Sequence, residues 1–232
     1  MPSTFQRFTI GAAAIALSAA TLHGFSASAA EGVVRAPAPL VTAPATATRE
    51  TAVFAGGCFW GVQGVFQHVN GVESAVSGYT GGSAADARYE RVGEGDTGHA
   101  EAVRVVFDPR VVSYAQLLQI YFSVVADPTM LNAQGPDRGT QYRTALFPTS
   151  DAQRKVAAAY IDQLGKAKLW PRPIVTKLER AQGFYPAEGY HQNYLTLHPE
   201  QPYIRYNDLP KVAGLKAMYP ALYRAKPVLV RG

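Results

Sequence analysis

The positions of apolar residues along the chain predict a strand followed closely by a helix near residue 50. Residues 51–55 form a short apolar run that is typical of a buried strand, and Gly56 and Gly57 then indicate a tight turn. After this turn, apolar side chains recur at the spacing of one helix face, namely Phe59, Val62, Phe66 and Val69. The pattern predicts that Cys58 opens the helix.

Strand and helix patterns continue to alternate as far as about residue 198. Further strands are predicted at residues 72–79, 100–107, 142–147 and 174–179. Ser113 and Ser150 each stand three residues before a glutamine at the start of an amphipathic stretch, which is the pattern of a capping box. We therefore expect an α/β (α+β) fold, a two-layer sandwich with a mixed β-sheet, helices packed on it and an irregular C-terminal wrap.

The N-terminal residues predict an exported protein. Arg7, an apolar stretch at 10–20 and the small residues 27–29 have the order of a secretory signal peptide, assigned to residues 1–29. The apolar stretch is shorter than the roughly 20 residues that span a bilayer, so we expect cleavage rather than stable membrane insertion. The alternative is retention as an uncleaved anchor. The first interpretation places the mature protein in the periplasm or outside the cell.

The remaining chain divides into three parts by composition. Residues 30–50 are rich in Ala, Pro and Thr, which predicts a disordered, partly extended linker. Residues 51–200 carry the alternating pattern and form the expected catalytic domain, and residues 201–232 form a C-terminal extension. The net charge is only +5 and the basic residues are scattered, so nucleic-acid binding has little support.

The chain has one cysteine, Cys58. It cannot form an internal disulfide, and the predicted helix start would place it where backbone N–H groups and the helix dipole favour a thiolate. A reactive thiol is therefore the leading hypothesis. The alternatives are a buried cysteine that only packs, or one that bonds to another chain.

Other side chains could serve this thiol. Alternation along residues 100–107 places Glu101 on the core-facing side with Val103 and Val105, and burial would raise its pKa and make it a proton donor. A salt-bridged or edge-exposed glutamate is the alternative.

Further candidates lie in three loop-like segments. In the glycine-rich loop predicted at 89–99, His99 could be a base for Cys58 or a structural hydrogen-bonder. In the second segment, Asp137 offers an acceptor and Tyr142 a phenol donor. Residues 184–192, which are aromatic and polar together, fit a pocket wall or a buried network equally well. The five histidines are too dispersed for a metal site.

Several motifs together resemble the A-type peptide methionine sulfoxide reductases. They are Gly-Gly-Cys-Phe-Trp-Gly at 56–61, Gly-Tyr-Thr-Gly-Gly at 78–82, Tyr89 followed by Gly-Asp-Thr-Gly-His-Ala-Glu at 95–101, Gly-Pro-Asp-Arg-Gly-Thr-Gln-Tyr-Arg at 135–143, and Tyr-His-Gln at 190–192. They occur in the order of the family and cover about residues 51–200. The first motif and the distant Gly-His-Ala-Glu are the most specific.

The resemblance implies a role for each matching residue. Cys58 would attack the sulfoxide sulfur and Glu101 would protonate the departing oxygen, to which Tyr89 and Tyr142 would donate hydrogen bonds. The residues implied for substrate binding are Phe59 and Trp60, around the methyl group, and Asp137, toward the substrate backbone. The family acts on the S epimer of methionine sulfoxide, free or in proteins, and leaves a sulfenic acid on the cysteine.

The chain departs from the usual family pattern in its number of cysteines and at two other positions. Many members carry further cysteines near the C-terminus, and none follows Cys58 here. An external thiol must therefore regenerate the enzyme, either a thioredoxin-like protein or a small dithiol. No bound cofactor is expected. Ala126 replaces a usual histidine, and residues 85–88 replace the usual Asn-Pro-Thr, where we expect altered loop packing only. We expect a monomer.

Two other functions remain possible on sequence grounds. A cysteine hydrolase would pair Cys58 with His99 or His191 within hydrogen-bond reach of the sulfur. A binding or redox-sensing protein would use Cys58 only for intermolecular disulfides. Turnover of methionine sulfoxide in the presence of a reductant separates these hypotheses from a reductase.

Overall fold

The structure is a computed structural model that describes Met1, residues 34–180 and residues 182–231. Apart from Met1, the predicted signal peptide lies outside the described residues. Within the described part of the chain, no helix is both long enough and apolar enough to cross a membrane.

The predicted alternation of strands and helices is present. The strands are β1 (Glu50–Gly56), β2 (Val72–Thr80), β3 (Ala100–Phe107), β4 (Ala133–Gln134), β5 (Asp137–Arg138), β6 (Thr144–Phe147), β7 (Lys177–Leu178) and β8 (Tyr185–Pro186). The α-helices are α1 (Phe59–Gln67), α2 (Tyr89–Gly93), α3 (Tyr114–Ile120), α4 (Asp151–Ala167), α5 (Tyr194–Leu197) and α6 (Leu209–Met218). The strand predicted at 174–179 is reduced to the two residues of β7, and the predicted loop after residue 88 begins with the short helix α2.

A six-stranded mixed sheet organises the domain, in the order β7-β6-β1-β3-β2-β8. Its pairs are antiparallel except for β6 with β7, which are parallel. In the antiparallel pair β1 and β3, Phe54 lies opposite Val103. The end of β1 and the start of β3 therefore meet at one edge of the sheet, which brings the segment after β1 to Glu101.

Period-two alternation separates the two faces of the sheet. Phe54, Val103 and Val105 belong to the large core cluster beneath the helices. Val53 and Ala102 belong to a small cluster on the opposite face, against which the partly buried Phe184 packs. Since the helices cover mainly one face, the fold is the predicted two-layer α+β arrangement with a mixed sheet.

Aromatic rings fill the large cluster between β1, α1 and α3. The ring of Phe54 stacks on Phe66 at 4.7 Å and on Tyr121 at 5.8 Å between centroids. Tyr121 lies in a π-helical turn, Tyr121–Val125, that continues α3, and its hydroxyl donates to the carbonyl of Ala55 at 2.7 Å. This bond ties the helical layer to the end of β1, directly before the turn that carries Cys58.

The predicted linker packs against the domain where the structure describes it. The N–H of Ala36 donates to Ser123 Oγ at 3.0 Å, and its carbonyl accepts from Gln119 Nε2 at 2.9 Å. The hydroxyl of Tyr160 donates to the carbonyl of Pro37 at 2.7 Å. The prediction of disorder is therefore wrong for this part of the segment, because side chains of the helical layer satisfy its open backbone groups.

The C-terminal residues end in the predicted irregular wrap. After α6, the N–H of Arg224 donates to the carbonyl of His68 at 2.8 Å, and the N–H of Val228 donates to that of Gln67 at 3.0 Å. These carbonyls lie at the C-terminal end of α1, where they lack helical partners. The C-terminal wrap thus supplies hydrogen-bond donors to the carbonyl groups at the C-terminal end of α1, the helix whose N-terminus carries Cys58.

Candidate active site

Two glycines allow β1 to turn directly into α1. Gly57 has φ +86°, and a Cβ there would clash with the side chain of Gln134. A Cβ at Gly56 would press on the ring of Tyr121. Cys58 follows as the N-cap residue of α1, with no side-chain hydrogen bond to the helix, and is partly exposed. The sequence prediction that Cys58 opens the helix is confirmed.

Glu101 supplies the cap that Cys58 does not. Its carboxylate Oε2 accepts the N–H of Phe59, the first helical residue, at 3.0 Å. The Glu101 side chain is on the core-facing side of β3 and the residue is only 3% exposed, as the alternation predicts. The nucleophile candidate and the buried acid candidate are therefore adjacent at the start of α1, although 43 positions separate them in the chain (101 − 58).

Burial raises the pKa of Glu101 to about 8. The hydrogen bond from the backbone of Phe59 opposes this shift, while the negative charges of Asp137 and Asp208 add to it. At neutral pH the side chain is therefore mainly a neutral carboxylic acid, which can donate a proton. The structure favours the proton-donor hypothesis over a salt-bridged glutamate.

The thiol of Cys58 does not have the lowered pKa that its helix position predicts. Although Cys58 is partly exposed, the protein around its sulfur displaces solvent and raises the pKa of Cys58 well above its usual range; the carboxylate of Glu101, once ionised, and that of Asp208 raise it further. The N–H of Trp60 donates to the sulfur and lowers the pKa, but this is the smaller effect. These effects oppose the gain in thiolate population that the helix start predicts, because loss of solvation and nearby carboxylates outweigh the helix terminus.

The other predicted site residues converge on this point. Tyr89 begins α2 and is 37% exposed, while Tyr142 ends a 3₁₀ turn, Thr140–Tyr142. Burial raises the pKa of both phenols, and the nearby charges of Glu101 and Cys58 raise both further. Both hydroxyls therefore keep their protons and are hydrogen-bond donors at physiological pH.

Trp60 and Phe59 occupy different surroundings. The indole of Trp60 is partly exposed and stacks on Tyr194, with centroids 3.8 Å apart and planes 9° from parallel. Phe59 is 1% exposed, and its ring packs against Tyr79 and His191. Trp60 is thus the aromatic surface next to the thiol that solvent reaches, and Phe59 lies beneath it in the core.

Asp137 contacts the C-terminal part of the chain. It lies on β5, in the short hairpin with β4, and its carboxylate accepts the hydroxyl of Tyr203. The ring of Tyr203 also meets Trp60 edge-on at 6.0 Å. Tyr203 therefore contacts two predicted substrate-binding residues, Asp137 and Trp60. It was not predicted as a site residue, because it belongs to the C-terminal extension and only the fold brings it to the site.

Glu188 and His191 hold the aromatic side of the site together. Glu188 accepts the backbone N–H of Tyr89 at 2.9 Å and the hydroxyl of Tyr79 at 2.8 Å. His191 Nδ1 accepts from Trp60 Nε1 at 3.1 Å, and its ring lies 4.5 Å from that of Tyr89. Of the two sequence hypotheses for residues 184–192, this contact pattern favours the buried network.

The histidine positions argue against a hydrolase. Nδ1 of His99 accepts the N–H of Gly82 at 3.2 Å, and Nε2 lies 2.8 Å from the carbonyl of Ser83, so both ring nitrogens are engaged. Nδ1 of His191 is engaged by Trp60. Among the hydrogen bonds of the described residues, neither histidine contacts the sulfur of Cys58, so the Cys-His pair that a cysteine hydrolase requires is not formed.

Comparison with known proteins agrees with this geometry. Residues 50–221 match the family model described as peptide methionine sulfoxide reductase. The chain is 66% identical over 181 residues to peptide methionine sulfoxide reductase MsrA 2 of Mesorhizobium japonicum, covering 78% of this chain and 93% of that protein. It is 50% identical over 173 residues to MsrA of Deinococcus radiodurans, covering 75% and 84%.

Solved structures give the same result. The reduced form of Mxr1 from Saccharomyces cerevisiae superimposes with a TM-score of 0.61 at 33% identity, covering 70% of this chain and 92% of that one. Methionine sulfoxide reductase A of Corynebacterium diphtheriae superimposes with a TM-score of 0.56 at 31% identity, covering 73% and 85%. The chain belongs to the peptide methionine sulfoxide reductase family, in its A type.

Proposed function

We propose that this protein reduces the S epimer of methionine sulfoxide, free or within proteins, to methionine and so repairs oxidative damage. Its membership of the family and one observation support this proposal. The observation is the placement of a buried, neutral Glu101 on the backbone N–H next to Cys58, which puts an acid and a nucleophile at the same helix end. Reduction of a sulfoxide needs both groups.

The reaction balances with these two residues. The sulfur of Cys58 attacks the sulfoxide sulfur, and Glu101 transfers its proton to the sulfoxide oxygen. The S–S bond formed by this attack and the S–O bond of the substrate then break as a new S–O bond forms on Cys58, and the proton of the thiol passes to the Glu101 carboxylate. The substrate sulfur is reduced to a thioether, and Cys58 is oxidised to a sulfenic acid.

The surrounding side chains stabilise the reacting oxygen and hold the substrate. Tyr89 and Tyr142 stay protonated and donate hydrogen bonds to the oxygen as negative charge develops on it. Trp60 forms the wall against the terminal methyl group, with Phe59 supporting it from below. Asp137 accepts a hydrogen bond from the substrate backbone, next to its contact with Tyr203.

An external thiol completes the cycle. Because the sequence has one cysteine, no second thiol of the same chain can attack the sulfenic acid. A thioredoxin-like protein or a small dithiol instead forms a mixed disulfide with Cys58 and then releases it. The signal-like residues 1–29 support a donor outside the cytoplasm, and we propose that the enzyme acts as a monomer in the periplasm or medium.

Turnover of an oxidised peptide tests the proposal. Without reductant, the mature protein should form one methionine per molecule and gain one oxygen on Cys58; with dithiothreitol it should turn over repeatedly. Cys58→Ser should form none, and the R epimer serves as the control substrate that is not consumed. Methionine production by Cys58→Ser, or a wild-type protein that forms no methionine, would contradict the proposal.

A further inference from the structure

A buried carboxylate lies against the catalytic helix at a position that the proposed reaction does not use. Asp208 ends a π-helical turn, Ile204–Asp208, that leads into α6, and it is 0% exposed. Its carboxylate meets the first turn of α1, since a Cβ added at Gly61 would overlap Oδ1 of Asp208. Gly61 is therefore the residue that lets the carboxylate approach the backbone of this turn.

A buried cation accompanies Asp208. Lys211 Nζ lies 3.9 Å from Asp208 Oδ1, and the side chains are 9% and 0% exposed, respectively. Burying two charges costs solvation free energy, which close pairing only partly repays. Stability alone therefore does not account for the position of this pair beside the catalytic helix.

The positive end of α1 makes this location favourable for an anion. Backbone N–H groups that have no acceptor within the helix, together with the helix dipole, attract negative charge to the first turn. Asp208, paired with Lys211, places a carboxylate at this helix end, where it competes with a thiolate on Cys58. Consistent with this, the charge of Asp208 raises the pKa of Cys58, after the larger effects of burial and Glu101.

The other titratable groups around the sulfur come from several elements. They are Glu101 on β3, Asp137 on β5, Tyr89 on α2, Tyr142 after β5 and Tyr203 before α6. The charge of Asp208 also raises the pKa of Glu101, after burial and the charge of Asp137. Asp208 thus acts on both members of the proposed catalytic pair.

We propose that Asp208 and Lys211 form a positioning pair that holds a fixed negative charge against the first turn of α1 and keeps the protons on Cys58 and Glu101 in the resting enzyme. The proposal rests on the functions proposed for these two residues. A protonated thiol reacts slowly with peroxides and alkylating agents, because the thiolate is the nucleophilic form. The pair therefore protects the single cysteine from reactions other than the one with substrate.

The rate of alkylation of Cys58 by iodoacetamide, measured across pH without substrate, tests this inference. In the wild-type protein, the midpoint of the rate profile should lie above the ordinary thiol value of about 8.5. Asp208→Asn should move the midpoint to lower pH and speed alkylation at pH 7.5 by at least about fivefold. Asp162→Asn is the matched control, because it removes an exposed aspartate that also pairs with a lysine, Lys166, and should leave the profile unchanged.

Each outcome supports or overturns the inference. A wild-type midpoint at or below 8.5 overturns it even if Asp208→Asn fails to fold, and so does an unchanged profile in a folded Asp208→Asn protein. A lost activity with unchanged alkylation would indicate a merely structural role and would also overturn it. Since the assay needs no sulfoxide, a shifted profile in a protein that produces no methionine would support this inference and contradict the proposed function.

Discussion

The N-termini of α1 and α3 are capped in opposite ways. Ser113 accepts the N–H of Gln116, and the Gln116 side chain accepts the N–H of Ser113 in return, so the cap of α3 is complete within four residues. At α1, Cys58 makes no side-chain cap, and the first N–H goes to Glu101 on a distant strand. The cap of α3 only stabilises its helix, whereas the cap of α1 also places a neutral acid beside a thiol.

The difference shows how a helix terminus can be used for chemistry. A serine cap satisfies the backbone locally and stabilises the protein by about 1 kcal/mol. A buried glutamate also satisfies the backbone, but because its environment penalises the charged form it retains a proton that a substrate can take. Substitution of Ser113 should therefore change the free energy of unfolding, whereas substitution of Glu101 should change the rate of the reductase step.

The largest expected effect is that of Glu101→Gln on the reductase step. The amide can occupy the same space but cannot give a proton to the sulfoxide oxygen, so the single-turnover rate should fall by about 10²–10⁴-fold. Rapid-quench measurement of methionine formation with excess enzyme checks this. Glu101→Asp, which keeps an acid but shortens it, should retain more activity than Glu101→Gln. Equal single-turnover rates for wild type and Glu101→Gln would remove the glutamate from the mechanism.

The next effect is a pH dependence of the stability that arises at the N-terminus of α1 and that the serine cap of α3 does not produce. The pKa of Glu101 is about 8 in the folded protein, compared with 4.5 for an unperturbed glutamate, which represents the unfolded chain. Between pH 4.5 and about 8 the folded state therefore holds one more proton than the unfolded state. Its stabilising contribution is complete below about pH 4.5 and is lost as the pH rises through about 8, by up to about 1.4 kcal/mol per pH unit. Urea unfolding from pH 5 to 8.5 should show wild type losing stability relative to Glu101→Gln, and parallel curves would contradict the assignment.

The smallest effect is that of Ser113→Ala on α3. Removing the hydroxyl leaves the N–H of Gln116 without its cap and should lower the free energy of unfolding by about 1 kcal/mol, with reductase turnover unchanged. The urea midpoint measures the loss, and Ser113→Thr, which keeps a hydroxyl, should recover most of it. A large loss of turnover in folded Ser113→Ala would show that the two helix ends are coupled.

Much of the fold could be predicted because its signals are local. The Gly56-Gly57 turn, the helix start at Cys58 and the cap at Ser113 each depend on neighbouring residues, and all are present. The helix α2 and the contacts of Ala36 were not predicted, since a short helix has little periodicity and a Pro-rich segment has no apolar pattern that reveals a partner.

For the same reason, some residues of the site could be predicted from the sequence and others could not. Alternation along β3 placed Glu101 on the core side correctly. Tyr203 and Asp208 carry no local signal, because their relation to Cys58 arises when the C-terminal chain returns across α1. Residues 184–192 were recognised as a polar aromatic segment, but the bond of Glu188 to the backbone of Tyr89 depends on the pairing of β8 with β2.

Sequence patterns alone identified the thiol, its turn, the carboxyl facing the core and the family, because each is encoded by residue type and short spacing. The protonation of Cys58 could not be read in this way, since its surroundings raise the pKa that the helix start alone would lower. A pKa depends on solvent exclusion and on charges that the folded chain brings near, here Glu101 and Asp208. The chemical state of the site is therefore a property of the tertiary structure.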